Sequence, residues 1–277
     1  GMMRLYADRL PGRFRRLGLA IVQFIAPHAE RTDIPAPAAD AAPGDAAPVG
    51  AGREAALPVV FAGTIGHFLP EDSGVQKKDV AILLLSPWGY DEMCVRKSFR
   101  ILAERYAAMG IASLRFDYPG TGDAIDGTDF SAGLAVWEQS VLEAAERLKA
   151  LSHCQRIVLV GQGIGATLAH RVGSRVPGVE AIAMLAPVLS GRLYLREVAF
   201  RAKFIYEDLG LSDAERDMDG VSVAGLRMPE TIAAEIKTLS LAGAQTPAAG
   251  RYLVIERPVK AGDTGFVDAL IAAGADA

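Results

Sequence analysis

The sequence predicts an α/β protein: a mostly parallel sheet with helices on both faces and a helical cap inserted late in the chain. Three observations carry that prediction. Val80–Ser86 and Arg156–Val160 are continuous apolar runs, as strands buried on both faces require. Segments with helical spacing of 10 to 20 residues separate such runs. A cluster of glycines, Gly161, Gly163 and Gly165, follows one strand directly and opens a helix.

The elements follow in order. Pro58–Ala62 and Thr64–Leu69 read as a short antiparallel pair turning at Gly63. Val80–Ser86 is the first buried strand, and Glu92–Met109 a helix stopped by Gly110. Ile111–Phe116 is a second buried strand and Phe130–Ala150 a long helix. Arg156–Val160 is the third strand, Ala166–Val176 its helix and Ala181–Ala186 the fourth strand. Tyr252–Glu256 is the fifth, and Thr264–Ala273 the last helix. Residues 187–248, with Tyr194, Phe200, Phe204, Tyr206 and the acidic SDAERDMDG, interrupt the sheet as a cap. Its aromatics either line a pocket or pack the cap on the body.

Ahead of this unit the composition changes. Residues 1–31 hold six arginines against Asp8 and Glu30, in a chain whose net charge is -4. Leu10, Phe14, Leu17, Ile21 and Phe24 fall on one helical stripe. Three readings are open for it: a helix docked on its own domain or a twin subunit, a basic helix touching a membrane surface through residues 10–25, or a secretory signal. Residues 32–58 carry five prolines and many alanines and read as a linker, so the folded domain is expected at 59–277.

Composition narrows the function classes. With 51% hydrophobic and 22% charged residues, the chain has the balance of a cored globular protein and excludes collagen-like, disordered and disulfide-scaffold classes. The acidic balance excludes a basic nucleic-acid face. Two cysteines and no ligand-spaced cluster leave no metal site to expect. Cytoplasmic localisation is the expectation, with membrane association through the N-terminal helix as the variant and a signal peptide the weaker alternative.

In parallel sheets ligands bind beyond the carboxyl ends of the strands, which directs attention to the glycine turn. Read as G-x-G-x-x-A (Gly161, Gly163, Ala166), it calls for an acid at the end of the next strand; Ala186 and Pro187 stand there, and Glu180 lies at the wrong end. No cofactor is therefore expected. Read as G-x-S-x-G, it is a nucleophile elbow with Gly163 where the serine belongs. Glycine tolerates the elbow's strained backbone but offers no atom for an acyl-enzyme.

The blocks LLLSPWGYDEMC (83–94), LRFDYPGTGDA (114–124), VLVGQGIGATLA (158–169) and LAPVLSGRLYLRE (185–197) resemble the α/β-hydrolase superfamily. More narrowly they resemble the serine-aminopeptidase-like hydrolases associated with exosortase and exopolysaccharide gene clusters. The resemblance implies an oxyanion hole built from the backbone N–H groups of Tyr90 and Ile164, with Trp88, Gly89 and Gln162 beside it. It makes Glu256 and Asp263 the candidate acids. It also implies a histidine base late in the chain, yet His28, His67, His153 and His170 all precede Ala186. Set against that superfamily, the sequence stops at Ala277 where a last strand would begin, so that strand and its histidine loop are expected to be missing. The uncovered sheet edge then points to a homodimer or to cover by the N-terminal helix. Cys94 lacks an activating histidine and is expected to be a small buried residue; Asp117 and Asp123 are expected to be structural parts of a tight turn.

These features yield one functional expectation and one alternative. The chain is expected to be an α/β-hydrolase-like protein with a degenerate site, binding a small acyl or sugar-like ligand or a protein partner. The alternative is an active hydrolase or acyl transferase on an ester, thioester or amide with a non-standard site.

Overall fold

A computed structural model describes Phe24 and residues 54–124, 129–212, 215–216, 220–243, 246–256 and 265–277. Its centre is a seven-stranded sheet formed by β1 (Leu57–Phe61), β2 (Thr64–Leu69), β3 (Ala81–Leu85), β4 (Ala112–Phe116), β5 (Ile157–Gln162), β6 (Val179–Leu185) and β9 (Arg251–Ile255). The spatial order is β1-β2-β4-β3-β5-β6-β9. Pairing is antiparallel for β1–β2 and β2–β4 and parallel from β4 to β9. That order, with a helix crossing after each parallel strand and a cap after β6, is α/β-hydrolase-like.

The run AILLL in β3 shows why the sequence folds this way. Successive side chains of a strand point to opposite faces, and every residue of β3 is buried. Leu83 and Leu85 join one core with Tyr118, Trp137 and Val141; Ile82 and Leu84 join the other with Phe99 and Tyr106. Helix α1 (Tyr90–Ala108) covers the second face. Helices α2 (Ala135–Ser152), α3 (Ile164–Gly173) and α6 (Phe266–Ala272) cover the first. Such two-sided burial excludes polar positions, so a parallel-sheet strand reads as an unbroken apolar run.

The cap comprises α4 (Gly191–Asp208), a two-stranded hairpin of β7 (Val221–Val223) and β8 (Leu226–Met228), and α5 (Glu230–Thr238). The β7–β8 pair was not legible, because each strand has only three residues. Most boundaries differ from expectation by a few residues, and two of the differences have a stated cause. Helix α2 starts at Ala135 rather than Phe130, since Gly133 sits at φ 59 and residues 131–134 form a turn. Strand β1 starts at Leu57, so its first two residues lie inside the span read as linker.

The β9 edge of the sheet carries two contacts. Asp276 makes a single parallel bridge to Arg251 on β9, with Tyr252 N donating to Asp276 O at 2.6 Å. Phe24 lies under the Arg251 guanidinium, 4.9 Å from it, and its carbonyl accepts a hydrogen bond from the same group. At this one residue the N-terminal segment reaches the β9 edge. The rest of residues 1–31, and most of 32–58, lie outside the described residues.

Candidate functional site

The turn from β5 to α3 has the geometry of a nucleophile elbow. Gly163 is the N-cap of α3, at φ 58 and ψ -124, a backbone conformation that strains any residue with a Cβ. Its N–H donates to Leu185 O at 2.9 Å, which fixes the turn to β6. The flanking glycines are required by space. A Cβ on Gly161 would lie 2.5 Å from Ala166 N, and one on Gly165 would lie 2.3 Å from Leu85 O and 2.5 Å from Ser86 O. Helix and strand therefore meet through bare backbone on both sides of Gly163.

The loop for which the resemblance implies an oxyanion role follows β3. Gly89 is the N-cap of α1 at φ 76, and Tyr90 is the first residue of that helix. Ile164 is the first residue of α3. Neither first-turn N–H has an intrahelical acceptor, and both stand at the positive end of a helix dipole. Tyr90 and Ile164 thus each open a helix. Trp88 differs from a ligand contact: it is buried in the core with Tyr118 and Trp137. Gln162 ends β5 and is half-buried.

This elbow is closed. Gly163 is buried, and a Cβ there would lie 3.2 Å from Pro87 Cβ. A Cβ on Gly89 would lie 3.0 Å from Val223 Cγ1, so the β7–β8 hairpin rests on the loop that follows β3. Two open cavities, of about 580 and 450 Å³, lie instead along α2. Gln139 and Glu143 line both, and neither includes Gly163, Tyr90 or Ile164.

Of the two candidate acids, one lies among the described residues. Glu256 follows β9 and is exposed, while Asp263 lies outside the described residues. His67 pairs across strands with Arg115, and burial, then that arginine, hold its imidazole below the ordinary value. His153 closes α2 in the left-handed conformation. His170 is buried on α3, two turns or about 10 Å along the helix from Gly163. His28 lies outside the described residues.

An ionic cluster that sequence reasoning only partly saw stands beside the loop that follows β3. Arg96 reaches Glu92 at 2.5 Å, Asp117 at 3.3 Å and Asp123 at 3.8 Å. Asp117 also accepts the Asp123 N–H at 2.8 Å. A Cβ on Gly122 would strike Asp117 Oδ2 at 2.1 Å, so the DYPGTGD turn is closed by its own carboxylate. Burial pushes the Glu92 carboxyl up, against the opposing pull of Arg96. The structural role expected for Asp117 and Asp123 is what this geometry performs.

Cys94 corrects an expectation. It is exposed, not buried, and bonds to the Tyr90 hydroxyl. Partial desolvation of the thiol, then neighbouring Asp91, raise its pKa from the ordinary value. Among the described residues, no group of three or more His, Cys, Asp or Glu side chains is placed to hold a metal ion. No helix among them is long and apolar enough to cross a membrane.

No family model and no curated protein matches the chain. Solved structures do match. Est1E from Butyrivibrio proteoclasticus, solved with ferulic acid bound, is 18% identical over 72% of this chain and 77% of its own, with a TM-score of 0.49. Mouse α/β hydrolase domain-containing protein 10 is 18% identical over 73% of this chain and 77% of its own, with a TM-score of 0.40. An α/β serine hydrolase without lid from Xanthomonas campestris is 18% identical over 50% of this chain, with a TM-score of 0.40. That match spans 62% of the Xanthomonas chain, under two thirds of its length.

Proposed function

We propose that this chain is an α/β-hydrolase-like protein with a degenerate catalytic site, which acts by binding rather than by hydrolysis. The single observation carrying the proposal is Gly163: the elbow is built, buried and without a side chain. Covalent catalysis at this fold position needs a nucleophile and an imidazole within hydrogen-bond reach of it. The described residues supply neither. His170, on the helix that leaves the elbow, is committed to Tyr252.

The ligand class is a small acyl or sugar-like group, or a protein partner. The paired N–H positions of Tyr90 and Ile164 suit a carboxylate or carbonyl oxygen. The packing of Pro87 over Gly163 and of Val223 over Gly89 favours a protein partner, because a small ligand would first have to lift the cap hairpin. The likeness of the four sequence blocks to exopolysaccharide-cluster hydrolases supports a place in exopolysaccharide-related metabolism.

A thermal-shift scan of the full chain with short-chain carboxylates, acyl thioesters and oligosaccharides tests the small-ligand arm. A saturable upward shift that Val223→Glu alters, without turnover, supports that arm; turnover of any thioester overturns the whole reading. The alternative, hydrolysis by a water held between Tyr90 and Ile164, rests on the same two N–H groups and predicts that turnover.

A further inference from the structure

The two faces of the sheet are covered unequally. Helices α2, α3 and α6 lie on the first face. Among the described residues α1 is the helix on the second, and it packs on β4 and β2, away from β9. Strand β9 nonetheless serves both faces, as alternation requires. Tyr252 and Val254 join the first core, while Leu253 and Ile255 turn to the second, with the buried Ala183 of β6 opposite Leu253. Arg251 shares the face of Leu253 and Ile255, and Phe24 reaches the second core there from outside the sheet.

The contact at Phe24 is that of a helix end on a prepared seat. Phe24 is helical, its carbonyl accepts from Arg251 Nη2, and its ring lies 4.9 Å from the guanidinium. Arg251 Nη1 donates to Glu180 at 3.4 Å, and Arg156 holds the same carboxylate at 2.6 Å. Pro27 stands three residues beyond Phe24, and helices end at or before the residue preceding a proline. Phe24 therefore belongs to a last turn, whose carbonyls lack intrahelical donors and form the negative end of the dipole. A guanidinium that bonds one such carbonyl and covers the ring beside it matches both needs.

The sequence supplies the helix. Leu10, Phe14, Leu17 and Ile21 fall on one stripe with Phe24, and Pro11 suits a first helical position. Residues 10–23 lie outside the described residues. From Phe14 to Phe24 the stripe runs about 15 Å, about the length of a five-residue strand such as β9. The connection back to the domain is long enough. At about 3.1 Å per residue, residues 25–53 outreach the six strand spacings of about 4.8 Å between β9 and β1. Tethering of this kind favours the chain's own domain over a second copy. A membrane surface is the poorer occupant, because Phe24 is already seated on protein.

We propose that residues 10–24 form a helix docked on the second face of this chain's own sheet, with Phe24 seated at Arg251 and the Leu17–Ile21 side of the stripe towards β6 and β9. The basic N-terminal segment is then part of the domain core. The inference is independent of what the elbow binds.

Hydrogen exchange of the full chain, read by mass spectrometry, tests it. A helix of about 14 residues is marginal alone in water, so strong protection requires a docked face. Amides of residues 15–24 are expected to exchange at least about a hundredfold slower than those of an unstructured chain, equally at about 1 and about 100 µM. Phe24→Asp is expected to abolish that protection and Arg251→Gln to cut it about tenfold, with amides of β3 and β5 unchanged. Wild-type residues 15–24 without protection, or protection that survives Phe24→Asp, overturns the proposal. Protection lost on dilution, or accompanied by a dimer that Phe24→Asp dissolves, overturns it in favour of a second copy. Protection that arises only on vesicles of phosphatidylcholine and phosphatidylserine overturns it in favour of a membrane surface.

Discussion

The Nδ1 of His170 lies 3.0 Å from the hydroxyl of Tyr252, joining the helix that leaves the elbow to the last strand of the sheet. The same hydroxyl accepts the Ala248 N–H at 2.8 Å, and the imidazole meets Phe266 edge-on at 5.3 Å. The histidine that follows the elbow therefore holds α3, β9 and α6 together. His170→Ala removes a buried ring and leaves a buried hydroxyl short of a partner. The expected loss is about 2–4 kcal/mol in urea unfolding, the range for such truncations. On the proposed reading, ester turnover is absent from both the wild type and this variant.

The elbow glycines should separate sharply. Gly165→Ala drives a Cβ to 2.3 Å from Leu85 O and 2.7 Å from Leu85 C, and backbone cannot step aside. A loss of about 3 kcal/mol or more is expected, the scale of severe overpacking, with a collapse in soluble yield. In Gly163→Ser the Cβ would meet Pro87 Cβ at 3.2 Å and Pro87 Cα at 3.8 Å, and the residue carries the strain of φ 58. Its cost should be about 1–3 kcal/mol, the usual strain of a non-glycine residue there. The variant should fold and still not turn over aryl esters, because His170 remains bonded to Tyr252. Melting temperatures and an ester assay on both variants check this contrast.

His67 makes stability depend on pH in a stated direction. Burial and Arg115 lower its folded pKa from the ordinary 6.5. The unfolded chain therefore binds a proton that the folded chain refuses, and stability rises with pH across that window. As pH falls through 6.5, the contribution is progressively lost until the lower folded value is passed. His67→Gln should flatten the difference in unfolding free energy between about pH 5 and pH 7, where an ordinary histidine titrates. Denaturation curves of the two proteins at both pH values check the sign.

The ionic cluster offers a smaller effect. Arg96→Met leaves the buried Glu92 facing Asp117 without its cation. Because Arg96 is itself 42% exposed, solvent screens the pair and the expected loss is about 1 kcal/mol. The clearer readout is the turn: hydrogen exchange at the Asp123 amide, which Asp117 accepts, should rise in the variant.

Much of this was legible from residues alone, for physical reasons that also explain the rest. Strands such as AILLL and IVLVGQ are buried on both faces, so their apolar runs announced them. The elbow was legible because Gly161 and Gly165 are demanded by backbone contact, whatever stands between them. The closure of the site was not legible, because it depends on Val223 reaching Gly89 across more than a hundred residues. The role of His170 was hidden for the same reason, since Tyr252 and Phe266 come together with it only in the fold. Cys94 was misread as buried although it lies off the helical stripe of Val95, Phe99, Leu102 and Tyr106 that α1 buries, a spacing the sequence does carry.

The central claim is that a built elbow without a side chain leaves this fold without hydrolysis. Incubation of the full chain with a fluorophosphonate probe, beside a panel of short-chain aryl esters, tests it most directly. The account predicts labelling and turnover no greater than those of a heat-denatured control. Labelling of any residue of the native protein, or ester turnover well above that control, would contradict it.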